Sequence, residues 1–144
     1  WVDKLNAKEY LMQIKRLNFI IKNKQDELER LKCMTVSGSK YDKEYIQSSS
    51  DPHRVENLLL KIIEFRKDIE SDISRLIDLK KEVISLIDRL DNADEIDVLY
   101  KRYIYFHSWE QIAVDKNISI RHIYRIHGQA LASVSKILNV KLGI

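Results

Sequence analysis

Residues 108–131 read SWEQIAVDKNISIRHIYRIHGQAL, and this stretch decides the fold of the C-terminal part of the chain. Ser108 is followed three residues later by Gln111, a capping-box pattern that predicts a helix starting at Ser108. Asn117 tolerates the left-handed conformation of a sharp turn, and Ser119 is a candidate N-cap for the next helix. The stretch therefore predicts two helices around a tight turn, the layout of a helix-turn-helix.

The second helix of this motif combines one apolar stripe with a basic outer face. Apolar side chains that recur at spacings of three and four predict a single buried face. That stripe consists of Ile123, Ile126, Ala130, Val134, Ile137 and Leu138. From Lys116 to Ile144 the chain has five Lys or Arg and no Asp or Glu. Because no counter-charges are present there, this surface is predicted to attract a polyanion in a salt-dependent manner.

The side chains expected to contact DNA lie near the starts of the two helices. Arg121, His122 and Arg125 are predicted to face solvent in the N-terminal turns, which in a recognition helix enter the major groove. Arg can bind guanine and Gln can bind adenine through two hydrogen bonds, while hydroxyl and indole groups can donate to phosphates. The predicted DNA-binding residues are Ser108, Trp109, Ser119, Arg121, His122, Tyr124, Arg125 and Gln129.

Metal-binding and catalytic motifs are not predicted. His122 and His127 are five residues apart, which misses the i, i+4 spacing of paired helical ligands, and the lone Cys33 adds no partner. Both histidines are interpreted as surface or DNA-facing residues. The sequence has no Gly-rich phosphate loop and no Ser/His/Asp group at motif spacing. We therefore expect neither an enzyme nor a bound cofactor or metal.

The segment from Glu95 to Leu138 resembles region four of bacterial primary sigma factors, their promoter-reading C-terminal domain. The shared pattern is an apolar helix ending in Arg-Tyr, a Ser-x-Glu-x-Ile-Ala helix, a turn, and a recognition helix ending in Ala-Leu. Here these are Leu99 with Arg102-Tyr103, Ser108-Trp109-Glu110-Gln111-Ile112-Ala113, Ile118-Ser119 and Ala130-Leu131. The resemblance implies double-stranded DNA as the ligand and RNA polymerase as a candidate partner.

Two departures from the sigma pattern limit what the resemblance implies. Sigma factors have an acidic residue among the bases of the recognition helix, where this chain has Arg121 and His122, so the usual promoter element is not implied. No segment resembles the sigma region that melts DNA. The resemblance thus implies a protein that recruits or positions polymerase rather than one that replaces its sigma factor.

The wider chain resembles small proteins of Gram-positive phages and related mobile elements, including late transcriptional regulators of the RinA and ArpU type. The residues that carry this resemblance are Tyr41-Asp42, Gln47-Ser48, Asp78-Leu79-Lys80-Lys81-Glu82-Val83, Arg102-Tyr103 and Tyr124-Arg125-Ile126-His127-Gly128-Gln129-Ala130-Leu131. The resemblance implies a sequence-specific DNA-binding regulator, an activator, of a phage or mobile genetic element.

Two longer amphipathic segments precede the motif and predict an all-α fold. Helices are expected over residues of about 2–32 and 52–90, joined by a connector at 33–50. Asp51 is a candidate N-cap, and Pro52 suits a first helical turn. The predicted stripes are Ile14, Leu17, Ile21, Leu28 and Leu31, interrupted by Lys24, and Val55, Leu58, Ile62, Phe65, Ile69, Ile73, Leu76, Val83, Ile87 and Leu90.

These elements predict two domains. Residues 1–91 form a helical arm, a coiled-coil-like hairpin, and residues 92–144 form the DNA-binding domain, which starts with a helix from about Ala93 to Phe106. In that helix, Ile96, Leu99, Tyr100 and Tyr103 are expected to face the core of the motif, and Trp109 is expected to contact either Tyr103 or a phosphate. The arm is a candidate site for a homodimer or another partner; the alternative is that it packs only on its own helix-turn-helix.

Composition restricts the location and the function of the chain. The net charge of +3 is mild, and one cysteine excludes an internal disulfide framework and suits a reducing cytoplasm, here that of a bacterial host. No apolar run approaches the roughly 18 residues that span a bilayer, so no membrane partner is expected. Two alternatives to a regulator stay open: a phage small terminase-like DNA-packaging protein, and a polymerase-interacting module that does not bind DNA.

Overall fold

The computed structural model describes residues 6–35 and 53–141, and within these ranges the chain is helical with short turns and no strand. The predicted all-α class is confirmed. The elements, in chain order, are α1 (Ala7–Thr35), α2 (Arg54–Ile87), α3 (Ala93–Leu99), a π-helical turn (Tyr100–Ile104, the π turn), α4 (Trp109–Lys116) and α5 (Ile120–Lys141).

The two long helices have different ends from those predicted. α1 continues through Cys33 to Thr35, so the connector predicted to begin at residue 33 begins with helical residues. α2 ends at Ile87 rather than near residue 90, because the amide of Leu90 bonds to the carbonyl of Ile87 in a tighter turn. Val55, predicted in the buried stripe, is 56% exposed.

Several expectations concern residues outside the described ranges. They include the start of the first helix at residues 2–5, the cap at Asp51 with Pro52, and most of the predicted connector, residues 36–50. The resemblance at Tyr41-Asp42 and Gln47-Ser48 also lies there. These expectations stay predictions.

The helix predicted from Ala93 to Phe106 is interrupted by the π turn. α3 ends at Leu99, and the amide of Tyr105 then donates to the carbonyl of Tyr100 at 3.0 Å, the i to i−5 bond of a π-helix. Phe106 has φ 60°, in the left-handed region that is rare for a bulky side chain. The regular α-helix therefore stops seven residues short of its predicted end.

The described residues fall into two compact units, and each long helix contributes to both. The first unit contains the described parts of residues 1–17 and 76–144, and the second contains those of residues 18–75. This division differs from the predicted boundary between residues 91 and 92. The difference arises because the start of α1 and the end of α2 share a core with α5.

Two hydrophobic clusters form the interior of the first unit. The larger cluster consists of Ala7, Leu11, Ile14, Val83, Leu86, Ile87, Leu90, Leu99, Tyr103, Ala130, Val134 and Leu138. The smaller cluster, between α3, α4 and the start of α5, consists of Val98, Ile112, Ala113, Ile123 and Ile126. The neighbours Val98 and Leu99 enter different clusters, so α3 ties the helix-turn-helix to the rest of the unit.

The side chains predicted to face the core of the motif pack in the larger cluster, which includes Ala130, Val134 and Leu138 of the predicted α5 stripe. Leu99 and Tyr103 are buried in it, and Ile96 and Tyr100 pack against it. Val98, which was not singled out from the sequence, packs in the smaller cluster with side chains of α4 and the start of α5. The prediction that these four residues pack against α5 is therefore confirmed, and the same cluster also contains the start of α1 and the end of α2.

In the second unit, α1 and α2 pack against each other through a smaller interior. Leu28, Ile62 and Ile69 form its buried cluster. Lys24, which interrupts the apolar pattern of α1, donates from Nζ to a carboxylate oxygen of Asp72 at 2.6 Å, and Asp72 is only 8% exposed. The lysine that interrupts the apolar pattern of α1 thus pairs with an acidic side chain of α2.

Candidate nucleic-acid interface

Side-chain caps and one left-handed residue define the turn of the helix-turn-helix. The Ser108 hydroxyl accepts from the amide of Gln111 at 3.1 Å, and the Ser119 hydroxyl accepts from the amide of His122 at 3.1 Å. Asn117 takes φ 56° between the two helices. The predicted caps and the predicted turn residue are confirmed. They place α5 at a fixed angle to α4 through local contacts.

The N-terminal half of α5 presents an exposed polar and basic face. Arg121, Tyr124, Arg125 and Gln129 are exposed, as predicted, and His122 is half-buried. The guanidinium Nη2 of Arg125 donates to Nδ1 of His122 at 3.1 Å, which orients this Arg on the helix surface. No acidic residue occurs between Ile120 and Lys141, so no carboxylate on α5 neutralises these cations.

An aromatic stack supports this face from behind. The Trp109 ring meets the Tyr124 ring edge-on, with centroids 5.4 Å apart, and the His127 ring at 4.6 Å. The guanidinium of Arg102 lies 4.2 Å from the centroid of the Trp109 ring, a cation–π geometry, and donates to the carbonyl of His107 at 3.1 Å. Trp109 therefore joins α4 to α5 and to Arg102 of the π turn, rather than packing on Tyr103.

His127 is a core residue, so its predicted location at the surface or facing DNA is wrong. It is 9% exposed, and its Nε2 lies 2.6 Å from the Tyr103 hydroxyl. Burial, assisted by the positive charges of Lys8 and Arg102, lowers the pKa of His127 to about 4. Burial raises the pKa of Tyr103 to about 12. Near neutral pH the imidazole is therefore uncharged, and the Tyr103 hydroxyl donates to it.

Polar contacts hold α3 to both helices of the motif. Lys116 on α4 donates to Asp94 at 3.0 Å and to Asp97 at 2.8 Å. Burial alone would raise the pKa of Asp97, but the hydrogen bonds from Lys116 and Lys101 outweigh it and lower the pKa. The buried Glu95 accepts from the Ser133 hydroxyl of α5 at 3.2 Å. These contacts make the motif one rigid body with α3.

The structure sorts the eight predicted DNA-binding residues into two groups. Ser108, Trp109 and Ser119 shape and support the motif, because two are caps and one lies in the aromatic stack. The other five share the outer face of α5: Arg121, His122, Tyr124, Arg125 and Gln129. The sequence analysis did not find the supporting roles of Arg102 and His127. His127 stands four residues after Ile123 and three before Ala130, so the periodicity of the stripe would have placed it in the core.

Metal binding and membrane insertion each depend on features that can be checked in the described residues. Within residues 6–35 and 53–141, no group of three or more His, Cys, Asp and Glu side chains is placed to hold a metal ion. None of the helices in these ranges is both long and apolar enough to cross a membrane.

The sequence model of one family, described as "Protein of unknown function (DUF1492)", matches residues 35–135. The matched range runs from the last residue of α1 into the C-terminal half of α5 and contains the whole helix-turn-helix. No curated protein and no solved structure matches the chain.

Proposed function

The chain belongs to the DUF1492 family, and we propose that it is a sequence-specific DNA-binding transcriptional regulator, an activator, of a phage or mobile genetic element. The observation that carries the proposal is the outer face of α5, which is exposed, basic and free of acids. Such a face, on the second helix of a capped helix-turn-helix, has the charge and the shape that major-groove binding requires. The resemblance to sigma region four supports the same ligand.

In the proposed complex the first turns of α5 lie in the major groove. Arg121 and Arg125 bind base edges, with guanine O6 and N7 as the preferred acceptors, and Gln129 binds adenine. Tyr124 contacts the phosphate backbone, and the amides at the start of α5 add the positive end of the helix dipole. The hydrogen bond from Arg125 to His122 pre-orients one of the two guanidinium groups before DNA arrives.

The aromatic stack has a positioning role in this proposal. Trp109 contacts the ring of Tyr124 on one side and His127 on another, so it holds the exposed face of α5 in place against α4. Arg102 lies over the Trp109 ring and thereby carries a further positive charge close to the motif. Pre-organised side chains lose less conformational entropy on binding.

The proposed mode of activation is recruitment or positioning of RNA polymerase in the cytoplasm of a bacterial host. Its basis is the sigma-like pattern of the segment from Glu95 to Leu138. A protein of this kind increases transcription by holding polymerase at a promoter that polymerase itself opens.

The test starts from selection of a binding site out of a random-sequence DNA duplex library with the full chain. Fluorescence anisotropy then measures the affinity for the selected duplex at several salt concentrations. We expect Arg121→Ala and Arg125→Ala each to weaken binding about tenfold to hundredfold and to reduce its salt dependence, because each removes a cation from the groove. Lys136→Ala, which removes an exposed cation from the same helix farther from its start, is the matched control and should change the affinity less than threefold.

The same purified proteins and DNA also distinguish the proposed regulator from the two alternative functions. Unchanged binding in the Arg121→Ala/Arg125→Ala double variant would show that the assigned face is wrong. No binding to any duplex, with retention on immobilised core RNA polymerase, would replace the proposal with a polymerase-interacting module. A ring of eight or more chains in light scattering would favour a DNA-packaging protein.

A further inference from the structure

One face of α2 leaves a strip of apolar side chains uncovered. Val55, Leu59, Leu60 and Ile63 are 56%, 48%, 55% and 49% exposed, whereas their neighbour Ile62, which packs in the buried cluster with Leu28 of α1, is 7% exposed. Single exposed apolar side chains are ordinary on protein surfaces, but four within nine residues of one helix form a contiguous patch. This patch belongs to the second unit, whose own buried cluster is small.

The charges that flank the patch are placed symmetrically along α2. Leu59 and Ile63 stand two residues before and after Lys61, and Glu56 and Arg66 stand five residues before and after it. At 3.6 residues per turn, Glu56, Leu59, Ile63 and Arg66 lie within a sector of about 80° around the helix axis. This sector is on the side of α2 opposite Lys61. Glu56 and Arg66 are both exposed. The patch therefore has an apolar centre, an acid at one end and a base at the other.

This arrangement is complementary to itself when two α2 helices run antiparallel. With a two-fold axis at the level of Lys61, Leu59 of one copy meets Ile63 of the other, and Glu56 meets Arg66 at both ends of the contact. A parallel pairing in register would instead place Glu56 beside Glu56 and Arg66 beside Arg66, and like charges destabilise such a contact.

We propose that this face of α2 binds a second copy of the chain in a two-fold, antiparallel contact. Such an interface is isologous, because the same patch serves both copies. The patch is short, so we expect a dissociation constant on the order of micromolar, as for small transient interfaces. One further prediction rests on the proposed function. Because the pairing has two-fold symmetry, the selected DNA site should be an inverted repeat.

The test measures association of the full chain without DNA, so its outcome is independent of DNA binding. Sedimentation equilibrium over a wide concentration range gives the dimer constant of wild type, Glu56→Arg, Arg66→Glu and the double variant Glu56→Arg/Arg66→Glu. We expect each single variant to weaken the dimer at least tenfold, because it creates like-charge contacts at both ends. The double variant restores opposite charges and should return to within about threefold of wild type.

Matched controls carry the same charge changes outside the patch. Glu64→Arg and Lys61→Glu lie on exposed positions of α2 away from the sector and should leave the constant within about threefold. Circular dichroism verifies that every variant is helical. The proposal is overturned if wild type is monomeric at millimolar concentration, or if the single variants dimerise like wild type. It is overturned equally if the double variant is no better than the singles.

Discussion

The two compact units of this chain stabilise their helices in different ways. In the first unit, short helices are held by caps, by a buried imidazole–phenol pair and by two apolar clusters that meet at α3. In the second unit, parts of two long helices share a small apolar cluster of Leu28, Ile62 and Ile69 and the Lys24–Asp72 ion pair, and a strip of apolar side chains on α2 is exposed. The contacts of the first unit thus support the exposed polar face of α5, whereas α2 in the second unit leaves neighbouring apolar side chains uncovered.

Matched truncations in the interiors of the two units are expected to give the largest change in the free energy of unfolding. Leu99→Ala removes a side chain that is fully buried in the larger cluster, so it should lower the free energy of unfolding by about 3–4 kcal/mol. Leu28→Ala, at 8% exposure in the buried cluster of the second unit, should cost about 2 kcal/mol, because that site has fewer neighbours to lose. Urea unfolding followed by circular dichroism measures both. If Leu28→Ala lowers the free energy of unfolding as much as Leu99→Ala or more, the interior of the second unit is not the weaker of the two.

The next effect concerns the pH dependence of the first unit. The pKa of His127 is about 4 in the folded chain and about 6.5 when unfolded. Because the folded pKa is depressed, the full stability is present above pH 6.5 and is lost as the pH falls toward 4. The loss should be on the order of 3 kcal/mol. Urea unfolding at stepped pH measures it.

His127→Gln is the control for this pH dependence, since Gln keeps a polar side chain that does not titrate. Its stability at pH 7 should be lower, but the difference from wild type should shrink on acidification to pH 4. A difference that stays constant with pH would show that folding leaves the pKa of the His127 imidazole unchanged.

The smallest expected effect is in the second unit, at its ion pair. Among residues 6–35 and 53–141, Lys24→Met leaves Arg75, at 3.7 Å, as the cationic partner of the buried Asp72, and should cost about 1–2 kcal/mol. Lys24→Leu combined with Asp72→Leu removes both charges and should be close to neutral. Thermal melts of the two variants decide the matter. If the double variant is as unstable as the single, the pair stabilises through its geometry rather than by avoiding an uncompensated charge.

Local signals in the sequence predicted the helix-turn-helix well. The caps at Ser108 and Ser119 and the left-handed Asn117 depend on contacts within a few residues, which the sequence pattern contains directly. The apolar stripe of α5 followed from its 3.6-residue period, and the exposure of Arg121 and Arg125 followed from lying outside that stripe.

Several contacts between distant residues were not predicted. The burial of His127 depends on Tyr103, 24 residues earlier. Trp109 contacts His127 of α5 and Arg102. The division of the chain into units depends on the start of α1 reaching the core of α5. Periodicity identifies which face of a helix is buried but not which helix covers it.

The π turn between α3 and α4 predicts which insertions and deletions other members of the family can have at this position. A π turn holds one residue more than an α turn, so it is the form that a single-residue insertion takes when the flanking helices keep their packing. Deleting one residue here would rotate Arg102 by about 100° around the helix axis, away from the Trp109 ring. Members with an insertion or deletion between Leu99 and Ser108 should therefore also have replaced the Arg102–Trp109 pair.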